Sequence, residues 1–483
     1  MRNEPPYCAL AWVERLTKVN NQSERLRSLP SVEKVLSDER LSPWLEKLPR
    51  RLVIRTIRDY LEKLRVGIMA GSDLTFEFAE LLTMLGRQSR PSLKRAINGL
   101  GVVLHTGLGR APLSKTAQAA LVEITENFCN LAIDLTTGRR GDRYSHIENL
   151  LCELTGAEAA MVVNNNAAAT LLVLNTLAAN REVIISRGQL VEIGGAFRLP
   201  DVMKRSGAIM VEVGTTNRTH LKDYESAITE RTAMLLRVHM SNYRIIGFVK
   251  EVPLADLVSL GKKYQIPVVD DLGSGALIDL SKFGLPKEPM VQESIKTGAD
   301  VVLFSGDKLI GGPQAGIIVG KKHHIDLMKK NPLTRALRCG KLTYAALEAT
   351  LRLFLDEVKL LKEHALMQIL LKPLKEMEKE AKLLKRRLQA LLGDKIELTV
   401  RDDLAEVGGG SLATFSLPTK VLAIRPKSID VVELAKRLRF YDPPIFGRIE
   451  RDELLLDFRT IRNDEIAIIA QGLKDCLAER VLF

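Results

Sequence analysis

The sequence predicts an α/β protein with a mostly parallel central sheet in a large domain, a helical segment before it and a smaller α/β domain after it. Three observations predict this. From about Ile97 to Phe304, short apolar runs alternate with helix-length stretches, as expected of strands buried on both faces and joined by crossover helices. Ahead of them, apolar residues recur at helical spacing. Behind them, a stretch rich in Leu, Lys and Glu, from Leu342 to about Leu392, leads into a second and shorter set of apolar runs.

Taken in order, Leu41-Ser42-Pro43 reads as a helix start, with Ser42 as N-cap and Pro43 at the first helical position. From Val53 to Val66 the apolar residues Val53, Ile54, Ile57, Tyr60, Leu61 and Leu64 recur at helical spacing. Arg51, Arg55, Arg58, Lys63 and Arg65 fall between them, which makes a basic amphipathic helix. Gly71-Ser72-Asp73 breaks the pattern, Leu74 to Leu85 forms another helix, and Arg87 to Pro91 is a linker. Strands follow at Met161–Val163, Glu182–Ile185, Ile209–Val213, Ala233–Val238, Ile266–Val269 and Val301–Phe304. The Leu- and Lys-rich stretch reads as one or two long helices, and suits one connecting helix packed on the large domain better than a coiled coil. Leu398–Val400, Ala413–Phe415, Val421–Ile424 and Leu454–Asp457 are the strands of the last domain. The expected division is 1–90, helical and basic; 91–335, catalytic; and 336–483, the linking helix with the small C-terminal domain.

At 483 residues and 46% hydrophobic content, the chain has the makings of an ordinary globular protein of two or three domains. No apolar stretch approaches the roughly 18 residues that span a bilayer, and Met1 to Pro6 contain no secretory apolar region. The five cysteines are odd in number and widely spaced, with no C-x-x-C pair, so neither a disulfide framework nor a metal site is expected and the reducing cytoplasm is the expected compartment. Net charge is +12, and residues 1–100 hold 18 Lys and Arg against 12 Asp and Glu, half of the excess. That balance fits either a polyanionic partner such as nucleic acid or a solvated basic surface.

The chemistry gathers at strand ends. Ile266-Pro267-Val268-Val269 runs into Asp270-Asp271, and Val301 to Phe304 runs into Ser305-Gly306-Asp307-Lys308, ahead of the glycine-rich Gly311 to Gly316. A strand ending in Asp and a later one ending in a loop lysine match the two main cofactor contacts of fold-type-I pyridoxal-phosphate enzymes. There Lys308 would form the Schiff base and Asp270 would keep the pyridine nitrogen protonated. Asn164-Asn165-Asn166-Ala167 passes from a strand into a helix, where a capped, small-residue N-terminus suits a phosphate. His239 follows another strand, as a cofactor contact or as a core histidine. His105 to Arg110, Asp134 to His146 and Thr334 to Arg338 are arginine-bearing segments; each is a surface loop or an anion site, and together they would suit an anionic second substrate. Ser305-x-x-Lys308 matches a serine acyl-enzyme motif without its partner motifs, and is set aside.

Four segments together resemble one family closely, bacterial selenocysteine synthase, the L-seryl-tRNA(Sec) selenium transferases. They are Val102 to Arg110, Glu148 to Ala169, Val268 to Gly275 and Ser305 to Gly316, and the resemblance extends over nearly the whole chain. Leu100 and Gly107 depart from it, standing where Thr and Asn are common. The resemblance implies a fold-type-I transferase with pyridoxal 5′-phosphate held by Lys308, Asp270, Asn165, Asn166, Ala167 and His239. It implies conversion of L-seryl-tRNA(Sec) to L-selenocysteinyl-tRNA(Sec) through an aminoacrylyl-tRNA intermediate. Selenophosphate would be the selenium donor, held by Arg110, Arg335 and Arg338. It further implies tRNA recognition by the basic N-terminal helices and a homodecamer built as a pentamer of dimers. The alternative enzyme is a pyridoxal-phosphate lyase or aldolase acting on a free small amino acid or sugar acid. An alternative of another class is a nucleic-acid-binding protein on an inactive enzyme fold.

Overall fold

The computed structural model describes residues 22–478 apart from 196 and 414. Residues 1–21, with Cys8, and the middle of the predicted strand Ala413–Phe415 lie outside the described residues. The chain divides into two compact units. One comprises 1–96, 432–445 and 471–483, and the other 97–431 and 446–470.

In the first unit the basic amphipathic helix is longer than its apolar pattern, running Arg50–Met69. Val53, Ile57, Tyr60, Leu61 and Leu64 are buried with Leu81 and Leu85 of the next helix, Phe78–Gln88, while Arg51, Arg55, Arg58, Lys63 and Arg65 are exposed. The Tyr60 hydroxyl, at the edge of this core, donates to Glu80 Oε2 at 3.0 Å and accepts from the Glu77 N–H at 3.0 Å. The expected cap at Ser42 is corrected. A short 3-10 turn, Glu39–Leu41, capped by Asp38, comes first, so the helix Ser42–Lys47 begins at Ser42 itself and Pro43 falls second.

The second unit carries a seven-stranded sheet. Its strands, numbered along the chain, are β1 (Ala159–Val163), β2 (Glu182–Ser186), β3 (Ile209–Val213), β4 (Thr232–Val238), β5 (Val268–Gly273), β6 (Val301–Ser305) and β7 (Gly316–Gly320). Their spatial order is β1-β7-β6-β5-β4-β2-β3, and only β7 runs antiparallel to its neighbours. Six strands were legible as apolar runs. The seventh does not read as a strand, although Ile317 to Val319 are apolar, because it starts at the end of the glycine-rich Gly311 to Gly316; Gly316 must pass the Asn165 backbone, where a Cβ would stand 2.1 Å from the Asn165 carbonyl oxygen. Its five residues are nonetheless buried, within a core that covers both faces of the sheet.

The expected single connecting helix is instead four: Lys341–Arg352, Glu357–Glu363, Ala365–Leu370 and Leu374–Leu392. Asp356 and His364 interrupt it by capping with their side chains, and Pro373 stands just ahead of the last helix. A second sheet, of five strands, has the order Ile97–Gly99, Ile445–Glu450, Glu453–Asp457, Ser416–Pro426, Ile396–Glu406. Among the described residues no helix is long and apolar enough to cross a membrane.

Candidate active site

Parallel strands present their carboxyl ends on one edge of the sheet, so the residues that follow β1, β4, β5 and β6 meet there. They enclose a cavity of about 470 Å³, lined by Asn166, His239, Asp271, Lys308, Arg110 and Gly410 among others. Lys308 is only 6% exposed. Its position is set by the turn after β6, in which the Gly311 N–H donates to the Lys308 carbonyl at 2.9 Å and the Leu309 N–H donates to the Ser274 carbonyl at 3.2 Å. Burial, and then the Arg110 cation, push the Lys308 amine below its ordinary range, against the pull of Asp271, Asp307 and Glu288. A buried amine with a depressed pKa is a nucleophile toward an aldehyde.

The expected carboxylate partner, Asp270, is corrected to its neighbour. Successive strand residues face opposite sides of the sheet, so only one of the two aspartates can reach the cavity. Asp270 pairs in register with Arg237 and points with it to the far face. There it takes the Arg237 Nη1 at 2.9 Å and the Ser294 hydroxyl at 2.7 Å, fully buried. Asp271 lines the cavity, accepting from Asn166 Nδ2 at 2.8 Å and the Thr170 hydroxyl at 3.0 Å. Burial raises its pKa, opposed by those two hydrogen bonds and by the Lys308 charge.

Asn166 opens the helix Asn166–Ala178, and Asn165 caps it by accepting from the Ala168 N–H at 2.9 Å. Asn165, Asn166 and Ala167 all line the cavity, so the positive end of a thirteen-residue helix meets it where an anion would be stabilised. The Asn166 Oδ1 is buried without a protein partner. A nucleophilic amine, a carboxylate on an adjacent strand and a helix N-terminus are the three contacts that an aldehyde-bearing, phosphorylated pyridine requires. The residues present therefore fit pyridoxal phosphate.

His239 also lines the cavity, and its Nε2 lies 3.5 Å from Glu288 Oε2. Glu288 is 6% exposed and further accepts from the Ser274 hydroxyl at 3.2 Å and the Leu412 N–H at 2.7 Å. Burial pushes its carboxyl up, but His239 and these donors outweigh it and leave the pKa lowered. Through Leu412, Glu288 holds the loop Gly408-Gly409-Gly410, all three at positive φ, against the cavity. A Cβ on Gly409 would meet Arg110 Nη1 at 2.1 Å, and one on Gly410 would lie 3.5 Å from Lys308 Nζ, so side chains here would fill the site. Sequence reasoning missed both Glu288 and this loop. The run of three glycines was the one available signal.

Arg110, at φ 68°, lines the cavity with its Nε 3.4 Å from Asp307. Arg335 and Arg338 do not line it. Arg335 is exposed and Arg338 half-buried, and partial burial followed by the nearby cations of Arg143, Arg335 and Arg140 lowers the Arg338 pKa. Among the described residues none of these four arginines has an ion-pair partner; Arg143 donates to the Cys339 carbonyl at 2.8 Å. The expected trio is thus split, one arginine in the cavity and two in a separate basic cluster. Among the described residues, no group of three or more His, Cys, Asp or Glu could hold a metal ion.

Two family descriptions match the chain: "L-seryl-tRNA selenium transferase" over residues 96–462 and "Selenocysteine synthase N terminal" over residues 26–65. An L-seryl-tRNA(Sec) selenium transferase of Carboxydothermus hydrogenoformans is 49% identical over 447 residues, 91% of this chain and 95% of that protein. One of Nitratidesulfovibrio vulgaris is 48% identical over 462 residues, covering 93% and 98%. Among solved structures, a D-glucosaminate-6-phosphate ammonia-lyase superposes with TM-score 0.56 at 19% identity, over 84% of this chain and 99% of that one, a likeness of fold.

Proposed function

The chain belongs to the L-seryl-tRNA selenium transferase family, and from that premise we propose that it converts L-seryl-tRNA(Sec) to L-selenocysteinyl-tRNA(Sec), with pyridoxal phosphate as cofactor and selenophosphate as selenium donor. The observation that carries the reading is the buried, pKa-depressed Lys308 amine in one cavity with Asp271 and the helix N-terminus at Asn166. Bound there, the cofactor supplies an electron sink for charge that develops on the substrate α-carbon.

The residues then take distinct roles. Lys308 Nζ would hold the cofactor and would hold or deliver a proton at the substrate α-carbon, a task its depressed pKa suits. Asp271 keeps the proton on the pyridine nitrogen, and Asn166 and Thr170 keep Asp271 in place. Asn165, Asn166 and Ala167 take the cofactor phosphate. His239, oriented by Glu288, borders the reacting groups. Arg110 offers the in-chain contact for selenophosphate. Arg335 and Arg338, with Arg140 and Arg143, would reach it from another copy in a homo-oligomer, a decamer built as a pentamer of dimers. The exposed arginine face of Arg50–Met69, within the 1–90 segment, would take the tRNA body by its phosphates. The cytoplasm is the proposed compartment. A lyase of free amino acids is disfavoured, since relatives nearly half identical to this chain over more than nine-tenths of its length are named for the tRNA reaction.

Absorbance of the cofactor-loaded protein decides between the two. A spectrum that changes with Ser-tRNA(Sec), but not with ordinary Ser-tRNA or free serine, is expected. Response to free serine alone would favour the lyase. Lys308→Ala should abolish turnover while leaving tRNA binding intact, and full activity in that variant would remove the assignment.

A further inference from the structure

His364 sits in no sequence motif and does not line the Lys308 cavity, yet its ring touches the turn that carries Lys308. It is 1% exposed, and both ring nitrogens are engaged. Nε2 lies 2.7 Å from the Ile310 carbonyl, which can only accept, so Nε2 carries the proton. Nδ1 then accepts from the Met367 N–H at 3.3 Å, which makes the His364 side chain the N-cap of the helix Ala365–Leu370. Burial pushes the ring below its ordinary pKa, so it stays neutral in this tautomer. The same residue closes the preceding helix, its N–H donating to the Leu360 carbonyl at 2.9 Å.

The contact on the other side is close. Gly311, at φ 62°, lies so near the ring that a Cβ there would stand 2.6 Å from His364 Cε1. Gly311 is the residue whose N–H closes the turn on the Lys308 carbonyl, and the Gly312 N–H closes it on Gly306 at 2.9 Å. Leu309, beside Lys308, shares one buried apolar cluster with Leu366, Met367 and Leu370 of the helix. The far end of that helix is held as well. Arg459 is 4% exposed, and its Nη1 donates to the carbonyls of Ile369 and Leu370, both at 3.0 Å, while Nη2 donates to the Pro418 carbonyl. Its two terminal nitrogens are committed to main-chain carbonyls outside the Lys308 cavity, while its Nε is buried without a partner among the described residues. A continuous set of directed contacts therefore runs from Arg459 through a six-residue helix to His364, Ile310 and the Lys308 turn.

We propose that His364 is a positioning residue for Lys308, clamping the Ile310 carbonyl so that the turn presents the amine to the cavity, with Arg459 anchoring the helix that carries the clamp. An apolar filler would pack the same space but leave the Ile310 carbonyl and the Met367 N–H unpaired in an apolar surround. The directed bond on Ile310 is what sets the turn. The proposal rests on the reading that Lys308 carries the cofactor.

Two substitutions separate the halves of the ring. His364→Asn keeps an acceptor at the Nδ1 position and so the helix cap, but loses the donor to Ile310. His364→Gln keeps a donor at the Nε2 position. In the loaded full-length enzyme, His364→Asn should lower kcat on the order of 10- to 100-fold, with KM for the aminoacyl-tRNA within about twofold, as expected of a displaced reacting group. It should also move the pH midpoint of the lysine–cofactor absorbance by about 0.5 unit or more. His364→Gln should restore both most of the way. Equal kcat and equal midpoints in the two variants, with differences confined to melting temperature, would reduce His364 to a packing residue and overturn the proposal. Hydrogen exchange in the cofactor-free protein tests the clamp apart from the cofactor and tRNA readings. The Gly311 and Gly312 amides should exchange about tenfold faster in His364→Asn and stay protected in His364→Gln; unchanged protection in both variants would refute the clamp whatever the enzyme's substrate. Should the Asn variant not fold, Arg459→Lys, which loses the fork that spans three carbonyls, should move the wild-type midpoint by a comparable amount, about 0.5 unit. A wild-type midpoint there would break the proposed chain of contacts.

Discussion

In the Lys308 cavity each cationic or basic side chain has a carboxylate close by: Arg110 has Asp307, His239 has Glu288, and Lys308 feels Asp271. Around Arg338 the same chain gathers Arg140, Arg143 and Arg335, and among the described residues no ion pair compensates them. Both regions suit anions, but they are built in opposite ways. Groups taken out of water must be paired, because an isolated buried charge is far costlier than a solvated one. The cavity therefore stands pre-organised, with its charges locally balanced. The cluster is wet enough to tolerate mutual repulsion, which an arriving anion would relieve. A paired charge is already balanced within the fold; an uncompensated cluster leaves charge that a bound anion would balance.

The sharpest way to break this contrast is at the two aspartates. Asp271→Asn should lower kcat on the order of 10²-fold or more, since a charge placed opposite the reacting ring is lost from a water-poor site. Asp270→Asn should leave kcat per folded molecule within about threefold while costing roughly 2–3 kcal/mol in unfolding free energy, because Arg237 loses its carboxylate. Urea melts beside steady-state rates would show it, and the reverse pattern would restore Asp270 to the cavity. A smaller effect should separate uncompensated surfaces from paired ones. The exposed Arg51, Arg55 and Arg58, each replaced by Glu, should weaken tRNA binding more than about tenfold and flatten the salt dependence, with the fold unchanged. Filter binding across salt concentrations reads both, and an unaltered salt slope would place the tRNA elsewhere. The smallest change is expected at the cluster itself. Arg335→Ala with Arg338→Ala should raise KM for selenophosphate about tenfold, less at high salt, and shift stability by no more than about 0.5 kcal/mol. A large loss of stability would mean the cluster is structural.

Much of this was legible in the chain. The helical N-terminal segment, six of the seven strands and Lys308 follow from apolar periodicity and from residues placed just after strands. The failures share a cause. Asp270 and Asp271 are neighbours of identical chemistry, and only the register with Arg237 decides which one faces the cavity. β7 was missed because its first residue, Gly316, ends a glycine-rich run, and that glycine answers a close approach by Asn165, about 150 positions away in sequence. Glu288, Gly408 to Gly410 and His364 act through partners far along the chain, and local pattern carries no trace of such pairings.

By itself the sequence determined the inventory: a mostly parallel sheet, a lysine at a strand end, an asparagine-capped helix and a surplus of arginine. Those follow from local spacing, since a strand alternates every two residues and a helix repeats every 3.6. Only the tertiary structure decided the assignments. It turned Asp271 toward Lys308, drew Glu288 to His239 and a distant glycine loop to the cavity, kept Arg335 and Arg338 out of the cavity, and set His364 against the lysine turn. Each of those depends on which face a side chain presents and on what is packed against it, and burial together with hydrogen-bond geometry settles that only when the whole chain is folded.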